Sequence, residues 1–161
     1  MRDGSPSWLA VLHIFEEVAS TLHGAAKVRH EPGEDGLTVV HLAPTRNSAA
    51  PISAAIESDG SRVYLNLGQA TPIEIDAEGG NFSELSALDE ISEVVRQVVE
   101  GNFEETIWSK GGTIVKAVGR FTIGGERARI HYESLQGGPF TWIRHVFTAT
   151  KKEHHRYSPY V

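Results

Sequence analysis

The sequence predicts an α+β fold, a two-layer sandwich in which a mainly antiparallel sheet of about eight hairpin-connected strands carries two amphipathic helices. Three observations predict it. Two segments repeat apolar residues at three- and four-residue steps, one hairpin register satisfies both faces of its strands at once, and glycine-containing turn signals punctuate the joins between most of the remaining apolar segments. Turns of this kind join antiparallel neighbours, so an alternating parallel fold is disfavoured. A chain of 161 residues with 40% hydrophobic and 22% charged residues suits one domain. No repeat, low-complexity tract or long Pro/Gly/Ser linker divides it. Residues 1–150 are expected to form that domain, and 151–161, with Pro159 and little apolar periodicity, a flexible tail.

The first helix is expected over about residues 6–23, where Trp8, Val11, Leu12, Phe15, Val18, Ala19 and Leu22 share one face and Glu16 and Glu17 fall on the other. Ser5 is the expected cap, Pro6 suits the first helical position, and Gly24 provides the left-handed stop. A hairpin follows at Glu34-Asp35-Gly36. A type I turn on Glu34-Asp35 with Gly36 left-handed sets Val28 opposite Leu42 and His30 opposite Val40, whereas a two-residue Asp35-Gly36 turn sets His30 against His41; the apolar pairing favours the first.

The second hairpin is the most strongly specified. Asp59-Gly60 as a two-residue turn pairs Ile56 with Val63, Ala54 with Leu65 and Ile52 with Leu67, and sets Glu57 against Arg62 on the opposite face. A short strand from Pro72 to Asp76 points Ile73 and Ile75 inward. The second helix starts from the polar stretch Asn81–Ser86, with Ser86 and Asp89 at capping-box-like spacing. Leu85, Leu88, Ile91, Val94, Val95, Val98 and Val99 form its buried stripe, Glu90, Glu93, Arg96, Gln97 and Glu100 flank it, and Gly101 stops it. Strands are then expected at Phe103–Ser109, Thr113–Ile123, Glu126–Ser134 and Phe140–Thr150. Gly124-Gly125 as a two-residue turn pairs Phe121 with Ala128, Ala117 with Tyr132 and Lys116 with Glu133, and Gly137-Gly138-Pro139 marks the next turn.

The net charge of −6 and absence of cysteine exclude a disulfide scaffold, a thiolate metal site and a cysteine nucleophile, and argue against a generic nucleic-acid binder. No apolar run approaches the ~20 residues of a membrane span, and the amino end lacks a signal-peptide layout, so a soluble cytoplasmic protein is expected. The charge is unevenly divided. Residues 1–109 carry 6 Lys/Arg against 18 Asp/Glu, a balance of −12, and residues 110–161 carry 9 against 3, a balance of +6. Either acidic helices and loops cover a basic hairpin within the domain, or a basic face is left for an anionic partner.

Motifs for chemistry are weak. The eight histidines show no compact ligand spacing, so no metal or cofactor is expected, and the paired carboxylates Glu16-Glu17, Asp89-Glu90 and Glu104-Glu105 are adjacent residues whose side chains diverge. The serines lack an activating context and the glycine pairs a phosphate-loop context. The cluster worth following is basic. Lys116, Arg120, Arg129, His131 and Arg144 fall on the last hairpins, with Arg120 opposite Arg129 and His131 within reach of Arg144. These residues are the candidate partner- or ligand-binding set, with no catalytic residue assigned. The leading expectation is a non-enzymatic protein-binding module of adaptor, chaperone-like or inhibitor/immunity type. The alternatives are an enzyme whose cleft presents Arg120, Arg129, His131 and Arg144 to an anionic small molecule, and a nucleic-acid binder adding Trp142 or Tyr132 for stacking.

Overall fold

The computed structural model describes residues 6–79, 85–123, 125–133 and 150–161 of the chain. Helix α1 (Trp8–Thr21) is followed by the strands β1 (Ala26–Pro32), β2 (Thr38–Pro44), β3 (Ile52–Ile56), β4 (Arg62–Leu67) and β5 (Thr71–Asp76), which form an antiparallel sheet in chain order. Helix α2 (Ala87–Val99) then leads into β6 (Glu104–Lys110), β7 (Thr113–Ile123), β8 (Glu126–Glu133) and β9 (Lys151–Arg156). These make a second antiparallel sheet in the order β8-β7-β6-β9. The fold is an α+β sandwich. Its described strands divide between two sheets, where the sequence suggested one.

Local chemistry explains the helix ends. The Ser7 hydroxyl accepts from the Ala10 amide, so the cap of α1 is Ser7 instead of Ser5, and Pro6 precedes the cap instead of opening the first turn. Ser5 lies outside the described residues. At the other end His23 and Gly24 are both left-handed. Ser86 caps α2 as its spacing predicts: its hydroxyl accepts from the Asp89 amide and donates to the Asp89 carboxyl.

The apolar stripe of α2 packs inward, with Ile91, Val94, Val95 and Val98 all fully buried. α2 lies against α1, β5 and β7, so its stripe meets both sheets. Glu90 and Gln97, expected on the solvent flank, are buried as well. A helix between two sheets has less surface to leave wet than one covering a single sheet, and that is the physical reason for the difference.

Three hairpin registers match the sequence reading. Val28 faces Leu42 and His30 faces Val40; Ile52, Ala54 and Ile56 face Leu67, Leu65 and Val63; and Phe121, Arg120, Ala117 and Lys116 face Ala128, Arg129, Tyr132 and Glu133. Two turns differ in detail. Asp35 is left-handed at φ 54° beside Gly36, and the β3–β4 connection is wider than two residues, with the Gly60 amide donating to the Glu57 carbonyl and the Glu57 amide to that of Arg62. Glu57 does not pair with Arg62 through its side chain. It accepts from the Ser61 and Tyr64 hydroxyls, while Arg62 lies 3.3 Å from Glu74 and 3.6 Å from Asp76.

The carboxyl end departs most from expectation. Lys151–Arg156, expected in a flexible tail, is β9 and pairs with β6 from Glu104–Arg156 to Ser109–Lys151. Beyond it, the Ser158 hydroxyl donates to that of Ser48 at 2.6 Å, and Tyr160, fully buried, donates from its amide to Val99 and from its hydroxyl to Ala50. Backbone pairing and two buried or half-buried tyrosines supply what its side-chain periodicity lacks. The expected strand Phe140–Thr150 and the Gly137-Gly138-Pro139 turn fall, apart from Thr150, outside the described residues. Among the described residues, no helix is long and apolar enough to cross a membrane.

Burial of Val95 generates a direct check on the packing of α2. Val95→Ala removes two methyl groups from a closed environment and is expected to lower stability by ~1–3 kcal/mol in denaturant unfolding; a loss below ~0.5 kcal/mol would place the side chain at the surface.

Candidate binding face on the four-stranded sheet

Alternate residues of β6 to β9 share one face, because successive strand side chains point to opposite sides. The register aligns them in rows. Arg129, Arg120, Glu104 and Arg156 form one; His131, Val118, Thr106 and His154 the next; Glu133, Lys116, Trp108 and Lys152 a third. Arg127, opposite Thr122, extends the face beyond the first row.

The face is basic. Lys116, Arg120, Arg127, Arg129, Lys152 and Arg156 stand against Glu104 and Glu133, six cations to two carboxyls. Both acids are engaged. Glu104 lies 3.8 Å from Arg120, 3.3 Å from Arg156 and 3.6 Å from His154, and Glu133 lies 3.6 Å from Lys116. These pairs are solvent-accessible, where an ion pair contributes about 0–1 kcal/mol, so they blunt the local repulsion without cancelling the field. The ammonium groups of Lys116 and Lys152 sit 5.2 and 5.4 Å from the centre of the Trp108 ring, which lowers the cost of holding two lysines on the strands that flank β6. Arg127 and Arg129 are exposed and make no ion pair among the described residues.

At one end the face opens into a cleft of about 720 Å³. Phe103, Phe121 and Tyr157 contribute apolar surface, and Arg120, Arg127, Arg129 and Arg156 bring guanidinium groups to it. The rings of Phe103 and Tyr157 stack with centroids 5.6 Å apart. Planar, forked donors beside an aromatic wall suit carboxylate or phosphate groups.

The position of this face depends on the residue behind it. Glu105 points to the opposite side of β6 from Glu104 and is fully buried. One of its oxygens accepts from the Gln69 amide at 2.7 Å and from the Tyr157 hydroxyl; the other accepts from the Ala70 amide at 3.2 Å and the Thr71 hydroxyl at 2.9 Å. The β4–β5 turn, β6 and the segment after β9 therefore meet at a single carboxyl group whose lone pairs are all used. Burial, followed by the hydrogen bond to Glu105, pushes the Tyr157 hydroxyl well above the ordinary tyrosine value, and burial does the same to Tyr160.

The structure brings Lys116, Arg120, Arg129 and His131 onto this one face; Arg144 lies outside the described residues. The sequence reading missed Arg127, Lys152, His154 and Arg156. The last three alternate along β9, and that two-residue period was the available signal. Compensation of the basic hairpin by acids from residues 1–109 is present through Glu104, itself part of the sheet.

A nucleophilic reading does not fit the described geometry. The Thr106 hydroxyl lies 3.0 Å from His154 Nδ1, and His154 Nε2 lies 3.6 Å from Glu104. Those residue types occur in acyl-transfer sites, but Thr106 is 4% exposed and the second distance exceeds a hydrogen bond. Among the described residues, no group of three or more His, Asp or Glu side chains is placed to hold a metal ion.

Two outcomes follow from the buried carboxyl and its tyrosine. Glu105→Gln replaces an acceptor oxygen by an NH₂ facing donors, and is expected to lower unfolding stability by ~2 kcal/mol or more; a near-neutral result would show that the four bonds are not made in solution. The tyrosines give a pH dependence. In the unfolded chain they ionise above pH 10, whereas the folded protein keeps them protonated, so stability is unaffected by them below pH 10 and falls as pH rises further. Melting of the wild type and of Tyr157→Phe/Tyr160→Phe between pH 8 and 11 should show the steeper alkaline loss in the wild type, and parallel curves would refute the assignment.

Comparison with family models, with curated proteins and with solved structures gives no match to this chain.

Proposed function

We propose that this chain is a non-enzymatic protein-binding module, of adaptor, chaperone-like or inhibitor type, that holds an acidic surface of another protein against the basic face of β6 to β9. The observation that carries this reading is the excess of cations on one sheet face, with its two acids already engaged, in a protein whose net charge is −6. A locally positive face on a negative molecule attracts an acidic patch while the remainder repels a long polyanion. Nucleic acid is correspondingly disfavoured, and both lysines near Trp108 compete with bases for its ring.

One observation favours a second reading. A cleft of about 720 Å³ falls in the ~300–1,000 Å³ range of small-molecule sites, and its arginines would suit an anionic substrate. Two measurements separate the readings. Affinity capture from host lysate with wild type and Arg120→Glu/Arg129→Glu should show a protein set held by the wild type at ~0.1 M salt, lost in the variant and released at ~1 M, where the Debye length falls from ~10 to ~3 Å. The variant should melt within ~1 kcal/mol of the wild type, since both arginines are surface residues. Capture unaffected by salt and charge reversal would remove this face from the function. Saturable one-to-one binding of pyrophosphate at micromolar concentration, without protein capture, would favour the small-molecule reading.

A further inference from the structure

The basic face has a spacing as well as a sign. Arg127 and Arg129 are two residues apart on β8, both exposed, and project from the same side of the strand. At ~3.4 Å per residue their attachment points are ~7 Å apart along the strand. Arg120 stands directly opposite Arg129, so one anionic group placed there is within reach of two guanidinium groups, while Arg127 stands opposite the neutral Thr122. Farther along the same line Glu133 returns a negative charge, already paired with Lys116. The anion-receiving part of β8 is therefore short and has a repeat of two residues.

We infer that the partner segment recognised here is an extended chain with carboxylates at alternate residues, laid along β8 so that successive acids meet Arg127 and Arg129. An extended peptide repeats its side-chain direction every ~7 Å, the same step as the arginines, whereas contiguous acids send every second carboxylate away from the face. Two features favour carboxylates carried on a strand over a polyphosphate chain. The protein already seats its own carboxyl, Glu104, between Arg120 and Arg156 in the same row as Arg129, and Glu133 truncates the positive line. The inference rests on the protein-binding reading and specifies what that partner presents.

The test uses the full chain and two fluorescent peptides of identical composition and charge, Ser-Glu-Ser-Glu-Ser-Glu-Ser and Ser-Glu-Glu-Ser-Ser-Glu-Ser, the second with no two acids at alternate positions, and anisotropy is read at ~50 mM salt. The alternating peptide is expected to bind at least fivefold more tightly. Arg127→Glu/Arg129→Glu should abolish that preference while melting like the wild type, and Lys116→Glu/Lys152→Glu should weaken both peptides without changing their ratio. Equal affinities, with binding still lost in the Arg127/Arg129 variant, would overturn the spacing and leave the acidic-partner reading standing. Failure of both peptides and of poly-glutamate to bind at all would overturn both. A thymidine oligonucleotide of matched charge that outcompetes the alternating peptide would overturn the choice of carboxylates.

Discussion

A buried carboxyl group is costly to fold around unless its lone pairs are met, and at Glu105 this chain meets all four. Its four donors come from a turn in one sheet and from the segment after the last strand of the other, so those parts must arrive together or leave polar groups stranded. The surrounding residues show the same dependence. Gly68 is left-handed at φ +62°, and a side chain there would run into the Glu105 carboxyl and the Tyr157 hydroxyl. Gly119 has an ordinary backbone, yet a side chain on it would occupy the space of Thr71, whose hydroxyl is one of the four donors. Two glycines far apart in sequence thus serve one contact.

The basic face is the consequence on the other side of β6. Glu104 and Glu105 are neighbours in sequence and opposite in environment: one is pinned behind the sheet, the other neutralises part of an arginine row in front of it. With β6 anchored through Glu105 and β9 held by Tyr157 and Tyr160, Arg120 and Arg156 are presented at fixed positions to either side of Glu104. Such order matters because a flexible cationic tail and a rigid cationic sheet can carry equal charge but differ in the spacing they recognise.

Much of this was legible in the sequence where local turn chemistry and two-sided patterning agreed. The Ile52–Leu67 hairpin has apolar residues on one face and polar ones on the other, so a one-residue slip would bury charge; the Gly124-Gly125 hairpin carries the same double signature in Phe121–Ala128 and Lys116–Glu133. Lys116, Arg120, Arg129 and His131 were found together for that reason. The segment Lys151-Lys152-Glu153-His154-His155-Arg156 has the sequence pattern of a tail because a charged strand lacks an apolar stripe, and its partner β6 lies more than forty residues earlier. Nor did periodicity reveal the burial of Glu90 and Glu105, which depends on what packs against them and not on their own neighbours in sequence.

The most direct measurement of the constraint is native-state hydrogen exchange at the Gln69 and Ala70 amides together with the β9 amides that pair with β6. If Glu105 joins the two sheets into one cooperative unit, these amides exchange with a common free energy close to that of global unfolding. Rapid exchange at Gln69, Ala70 and β9 while the β3–β4 hairpin stays protected would contradict the account, because the carboxyl-terminal strand would then open independently of the fold it is held to secure.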